Sequence, residues 1–129
     1  MTIVDFDTFK NTVIESKKRD ELYNYGDRKW NIIHSQIRLI CSNLNAHLFA
    51  LHVLDEPICS CGFDVEDNSH FFFSCPLYQT DRQILFNEIN KICDVSLDIL
   101  LYGHEDLSLD ENQKIFSHVH KYIKNSNRF

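Results

Sequence analysis

The chain is poor in the residues that interrupt secondary structure: its 129 residues include 3 Gly and 2 Pro. That scarcity argues against long irregular segments and toward a mostly α fold. No apolar run approaches the roughly 18 residues needed to cross a bilayer. The opening MTIVDFDTFKNTV also lacks the basic and apolar regions of a secretory leader. No membrane partner is expected, and the expected location is intracellular, cytoplasm or nucleus. Cysteine occurs five times, an odd number in a chain without an export signal. A disulfide framework is therefore a poor use for closely spaced thiols, and metal ligation a better one. Repeats, low-complexity tracts and Pro/Gly/Ser linkers are missing too, so residues 1–129 read as a single helical domain.

Catalytic signatures are equally scarce. There is no Gly-rich phosphate loop, no nucleophile elbow and no His-Glu-x-x-His motif. The adjacent carboxylates Glu66 with Asp67, Glu105 with Asp106, and Asp110 with Glu111 read as capping or solvated surface features. Neither enzymatic activity nor a small-molecule substrate is expected. Positive charge is in short supply: net charge is -6, and residues 51–129 carry six Lys/Arg against thirteen Asp/Glu. Residues 1–50 carry seven against six, so any basic footprint for phosphates is confined to the first half.

Soft metal ligands, in contrast, are concentrated. Cys59, Cys61, His70 and Cys75 fall within seventeen residues. Three thiolates and one imidazole complete a tetrahedral shell for Zn2+ and leave no position for water, which points to a structural metal. The metal segment spans 57–78. Pro57-Ile58 favours extended backbone before Cys59, and Gly62 permits the tight turn after Cys61. Asp67 is placed to cap a short helix carrying His70, with Phe71, Phe72 and Phe73 as apolar cover. Cys75 precedes Pro76, so that helix stops there. His52 and His47 are the nearest substitutes for an assigned ligand. Cys41 and Cys93 read as core or near-core cysteines, and His118 and His120 as solvated or partly packed.

Periodicity supplies the rest. Phe6, Phe9, Val13 and Ile14 predict an amphipathic helix over roughly 6–20. Asp27 caps the next helix, whose inner stripe is Trp30, Ile33, Ile37, Ile40 and Leu44. Leu48, Phe49 and Leu51 predict a short helix at an angle. Pro76 opens a helix with Leu77, Ile84, Leu85, Ile89 and Ile92 inward. Ser96 begins a brief helix ending at Gly103, and Ser108 with Glu111 has capping-box spacing for a last helix with Ile115, Phe116, Val119, Tyr122 and Ile123 inward. The expected architecture is a small helical bundle with a zinc-stapled Cys3His hairpin inserted.

The run LNAHLFALHVLDEPICSCGFDVEDNSHFFFSCPLYQTDRQILF resembles the zinc-binding segment near the C-terminus of non-LTR retrotransposon (jockey-like) reverse transcriptases. The likeness rests on Leu44-Asn45, His47-Leu48, Pro57-x-Cys59-x-Cys61-Gly62, Glu66-Asp67-x-x-His70, and Cys75-Pro76 with Tyr78 and Arg82. It extends to Tyr25-Gly26-Asp27-Arg28, Leu100-Leu101-Tyr102-Gly103 and the closing Arg128-Phe129. The resemblance implies a tail that assists RNA or DNA handling beside a polymerase core; the Tyr-x-Asp-Asp motif of that core is absent here. Under this reading Lys17, Lys18, Arg19, Arg28, Lys29, Arg38 and Arg82 touch phosphates, and Tyr23, Tyr25 or Phe63 stacks on bases. The other reading is a docking module for the reverse transcriptase core or another protein, its acidic second half facing solvent or a basic partner, or else an inert remnant of the parent polyprotein.

Overall fold

The computed structural model describes the chain from residue 16 onward, with side chains from residue 19. Most of the helix expected over 6–20 lies outside the described residues. The fold is mostly helical, as the low Gly and Pro content predicts. Its α-helices are α1 (Ser16–Tyr23), α2 (Arg28–Arg38), α3 (Asn45–Ala50), α4 (Gln79–Asn90), α5 (Leu97–Tyr102) and α6 (Leu109–Ser126). A π-helical turn at His70–Ser74 and a 3₁₀ turn at Pro76–Tyr78 lead into α4. None of these helices is long and apolar enough to cross a membrane.

The last helix organises the bundle. It starts on the expected capping box: Ser108 Oγ accepts from the Glu111 amide at 3.1 Å, and Glu111 Oε1 accepts from the Ser108 amide at 3.0 Å. Its stripe of Ile115, Phe116, Val119, Tyr122 and Ile123 is fully buried, and α6 packs against α1, α2, α4 and α5. Removing such side chains from water contributes roughly 1.5–3 kcal/mol each, so this stripe is the main apolar support of the bundle. α5 is capped by Ser96, whose Oγ accepts from the Ile99 amide at 3.2 Å. It ends at Gly103, where φ is +70° and a Cβ would lie 2.6 Å from Asn112 Oδ1. Only glycine fits both constraints there.

α2 departs from the expected pattern. Asp27 caps it, accepting from the Lys29 amide at 3.0 Å, and Ile37 is buried. The helix stops at Arg38 rather than running on to Leu44. The Cys41 amide reaches back to the Gln36 carbonyl at 2.9 Å, which puts Ile40 in left-handed geometry at φ +60° and leaves it exposed. The next bonds fix a different path. The Ser42 amide donates to His47 Nδ1 at 3.1 Å, and the Leu44 amide donates to Ser42 Oγ at 3.1 Å. Leu44 is buried as expected, but as the residue that opens α3. Cys41, expected in the core, is exposed by this turn, and Cys93 lies half-buried at the edge of the core. In α4 Leu85 and Ile89 face inward, whereas Ile84, and Leu77 in the preceding 3₁₀ turn, are exposed. The 3₁₀ turn at 76–78 winds more tightly than an α-helix and shifts the phase of the buried face.

His120 is also deeper than its sequence suggests. Its Nε2 lies 3.1 Å from Nδ1 of the fully buried His34, whose Nε2 lies 2.8 Å from the Leu100 carbonyl. A carbonyl only accepts, so His34 Nε2 carries the hydrogen, His34 Nδ1 accepts, and His120 Nε2 donates. Burial pushes His34 well below 6.5, with the nearby Arg38 charge adding to the effect. Burial, followed by the same charge, pushes His120 down to about 4. His118 is partly packed, with Nε2 3.7 Å from Glu88.

Candidate metal centre

The metal segment is built from a hairpin and a π-helical turn. Ile58 and Val65 pair as an antiparallel bridge. It is reinforced by the Cys59 amide on the Asp64 carbonyl and the Glu66 amide on the Pro57 carbonyl, both at 2.8 Å. Gly62 at φ +82° closes the knuckle, as the sequence predicts, and Phe63 projects from its tip with 82% of its surface exposed. On the opposite wall Asp67 Oδ1 accepts from the His70 amide at 2.8 Å, the cap expected of it. The helix it opens is of the π type: the Cys75 amide bonds to the His70 carbonyl at 2.8 Å. In an α-helix residues i and i+5 diverge, whereas the wider π turn brings the fifth residue back over the first. That winding is what places His70 and Cys75 on one side despite four intervening residues.

The result is a cluster in which one ligand atom each from Cys59, Cys61, His70 and Cys75 lies within 4.8 Å of all the others. Cys59 Sγ and Cys75 Sγ are 3.7 Å apart, and Cys61 Sγ is 3.3 Å from His70 Nε2. A tetrahedron with metal–sulfur bonds near 2.3 Å has edges of about 3.8 Å, so the four donors stand at the spacing of a first coordination shell. Cys59, His70 and Cys75 are buried and Cys61 is half-exposed. Burial pushes the Cys59 thiol up to about 12, and it also raises Cys75. The Phe63 amide lowers Cys61. His47 and His52 are not needed as substitutes: His47 Nδ1 is engaged by Ser42, and His52 is outside the cluster.

The three phenylalanines belong to the same apolar cluster as Cys59 and Cys75, and they anchor the π turn in the bundle. Phe71 and Phe72 are fully buried. The Phe71 ring packs against Tyr78, Tyr122 and Phe129, and Phe73 packs against Phe86. Tyr122 adds a hydrogen bond from its hydroxyl to the Phe71 carbonyl. His70 and Cys75 thus share one turn with the core residues Phe71 and Phe72.

Two charged residues around the site escaped sequence reading. Glu66, taken for a solvated or capping carboxylate, is buried, with Oε2 3.7 Å from Cys59 Sγ and Oε1 accepting from the Asn45 amide at 2.7 Å. Burial alone would raise its carboxyl; the Arg128 guanidinium and the Asn45 amide outweigh that and hold it below the ordinary carboxylate value. Arg82 is the second. Its Nε donates to the Phe72 carbonyl at 3.0 Å and its Nη2 to the Cys75 carbonyl at 2.7 Å, so it occupies the carbonyls left open where the π turn ends. The buried placement corrects the expectation that Arg82 touches phosphate.

Arg38 needs the same correction. It is buried, its Nε donates to the Leu101 carbonyl, and its guanidinium lies 4.0 Å from the centre of the Tyr23 ring. Tyr23 is itself stacked on Phe116, so neither residue is free for nucleic acid. Arg28 and Lys29 are exposed at the start of α2 and Arg19 is half-exposed on α1. Lys17 and Lys18 lie on α1, but their side chains fall outside the described part. Tyr25 and Phe63 remain exposed aromatics. Comparison of the chain with protein-family models, with curated proteins and with solved structures finds no match.

Proposed function

We propose that the chain is a non-catalytic module in which Cys59, Cys61, His70 and Cys75 hold one structural Zn2+, and that the module assists binding of RNA or DNA. The observation that carries the metal is the four-donor cluster within 4.8 Å. Three sulfurs and one imidazole nitrogen suit zinc among the common divalent ions, and four protein ligands leave no site for an activated water. Zinc would tie the 57–66 knuckle to the turn that Phe71 and Phe72 root in the core. The nucleic-acid half of the proposal is supported by the exposed Arg28 and Lys29 beside the exposed Tyr25, and by the resemblance to retrotransposon reverse transcriptase tails.

The test is a fluorescence-anisotropy titration of zinc-loaded protein with short single-stranded RNA and duplex DNA, at low and moderate salt, with a chelated control. Salt-sensitive binding that chelation abolishes supports the proposal. A second reading, docking to a reverse transcriptase core or another protein, is favoured by the exposed apolar series Phe49, Leu51, Val53 and Leu54 along and after α3. Absence of binding at both salt concentrations leaves docking or an inert remnant of the parent polyprotein.

A further inference from the structure

The start of α2 and the C-terminal half of α6 enclose a cleft of about 280 Å³. Tyr25, Asp27 and Trp30 line it from the α2 side, and His120, Lys121 and Lys124 from the α6 side. Both lysines are exposed, and among the described residues neither pairs with a carboxylate. Lys121 and Lys124 are three residues apart on α6 and therefore neighbours on one face. Lys29 adds a third positive charge, with its Nζ 4.6 Å from the centre of the Trp30 ring.

The cleft has polarity as well as charge. The hydrogen-bond order from Leu100 through His34 to His120 leaves His120 Nδ1 as a lone-pair acceptor. That nitrogen is beside Gly26, where a Cβ would come within 3.0 Å of it. The Asp27 carboxylate is a second acceptor in the lining, one oxygen already committed to the Lys29 amide. The lining of the cleft thus combines acceptors, aromatic surface and lysine ammonium groups. Acceptors suit the amino and imino groups of a nucleobase, aromatic rings suit its face, and ammonium groups suit its phosphate.

We infer that this cleft is a single-strand nucleotide site, with an unpaired base stacked at Tyr25 and Trp30, its donor edge toward His120 Nδ1 and Asp27, and its phosphate on Lys121 and Lys124. The inference rests on the nucleic-acid reading and assigns it a place that excludes the buried Arg38 and Arg82. Guanine, with two adjacent donors on its Watson–Crick edge, is the best match; uracil, with one donor flanked by two acceptors, is the poorest.

Trp30 is the only tryptophan in the chain, so its emission reports the site directly. The experiment titrates zinc-loaded protein with labelled, unstructured single-stranded RNA, reading anisotropy and tryptophan emission together. The wild type is compared with Tyr25→Ala, with Lys121→Glu/Lys124→Glu, and with Lys91→Glu/Lys114→Glu as a control of equal net charge; circular dichroism establishes that each variant is folded. The expected result is quenching of Trp30 with the same midpoint as the anisotropy change, a loss of about tenfold or more for the cleft variants, and a much smaller loss for the control. Wild-type binding without quenching, or equal losses in cleft and control variants, overturns the cleft and leaves the nucleic-acid reading standing. No wild-type binding overturns both.

Discussion

Glu66 and Arg128, 62 residues apart, meet in a two-pronged ion pair: Arg128 Nε donates to Oε2 at 2.8 Å and Nη2 to Oε1 at 2.6 Å. Arg128 Nη2 also donates to the Asn43 carbonyl at 2.7 Å, and the neighbouring Phe129 ring packs on Phe71 at 5.5 Å. The penultimate residue therefore ties the start of α3 to the carboxylate beside Cys59. Truncating one partner leaves the other charge buried without compensation. Arg128→Ala is expected to lower the unfolding free energy by on the order of 3 kcal/mol, read from urea denaturation. A change no larger than that of an exposed substitution such as Lys91→Ala would show the pair to be dispensable.

Arg82 braces the segment that ends in Cys75 by donating to the Cys75 and Phe72 carbonyls. Replacement by Lys retains the charge but loses the fork that reaches both carbonyls. Arg82→Lys should bind zinc about tenfold more weakly, the scale on which supporting residues act at metal sites, in competition with a chromogenic chelator. Unchanged affinity would mean that the π turn keeps its shape without the clamp.

Ile40 is a β-branched residue at φ +60°, a conformation that costs roughly 1–2 kcal/mol for an L side chain, and it is exposed. Ile40→Gly removes the strain at little packing cost, and net stabilisation of about 1 kcal/mol is expected in the same denaturation assay. Destabilisation would place an unrecognised packing role on this side chain.

The buried His34 and His120 pair sets a pH dependence. Both are held below their unfolded value of 6.5, His120 at about 4. The unfolded chain therefore binds more protons in that interval, and stability is full above pH 6.5 and falls as pH drops toward 4. His120→Asn keeps a donor toward His34 and removes one titrating group. Its stability should fall less steeply than that of the wild type between pH 6.5 and 5; parallel curves would contradict the assignment.

Legibility in the sequence followed the range of the interactions involved. The capping box at Ser108, the cap at Asp27 and the buried stripe of α6 were readable because each depends on residues within a few turns of one another. The clustering of Cys59, Cys61, His70 and Cys75 was readable because all four fall in one short segment around Gly62. The end of α2 was not, since it depends on Ser42 folding onto His47 instead of on the apolar spacing through Ile40 and Leu44. The roles of Glu66, Arg82, Arg38 and His120 were hidden for a related reason. Each charged or polar side chain looks solvated until a partner brought close by folding, Arg128, the Cys75 carbonyl, the Leu101 carbonyl or His34, accounts for its burial. The Cys75-Pro76 step with Arg82 six residues beyond Pro76 was the one local hint of the clamp.

A shell of three sulfurs and one nitrogen is visible to zinc K-edge X-ray absorption of the purified protein, with metal content measured on the same sample. The expected result is one zinc per chain, with three sulfur scatterers near 2.3 Å and one nitrogen near 2.0 Å, and loss of a sulfur or of the metal in Cys59→Ser. Protein that folds without zinc and does not take it up, or a zinc shell dominated by oxygen, would contradict it.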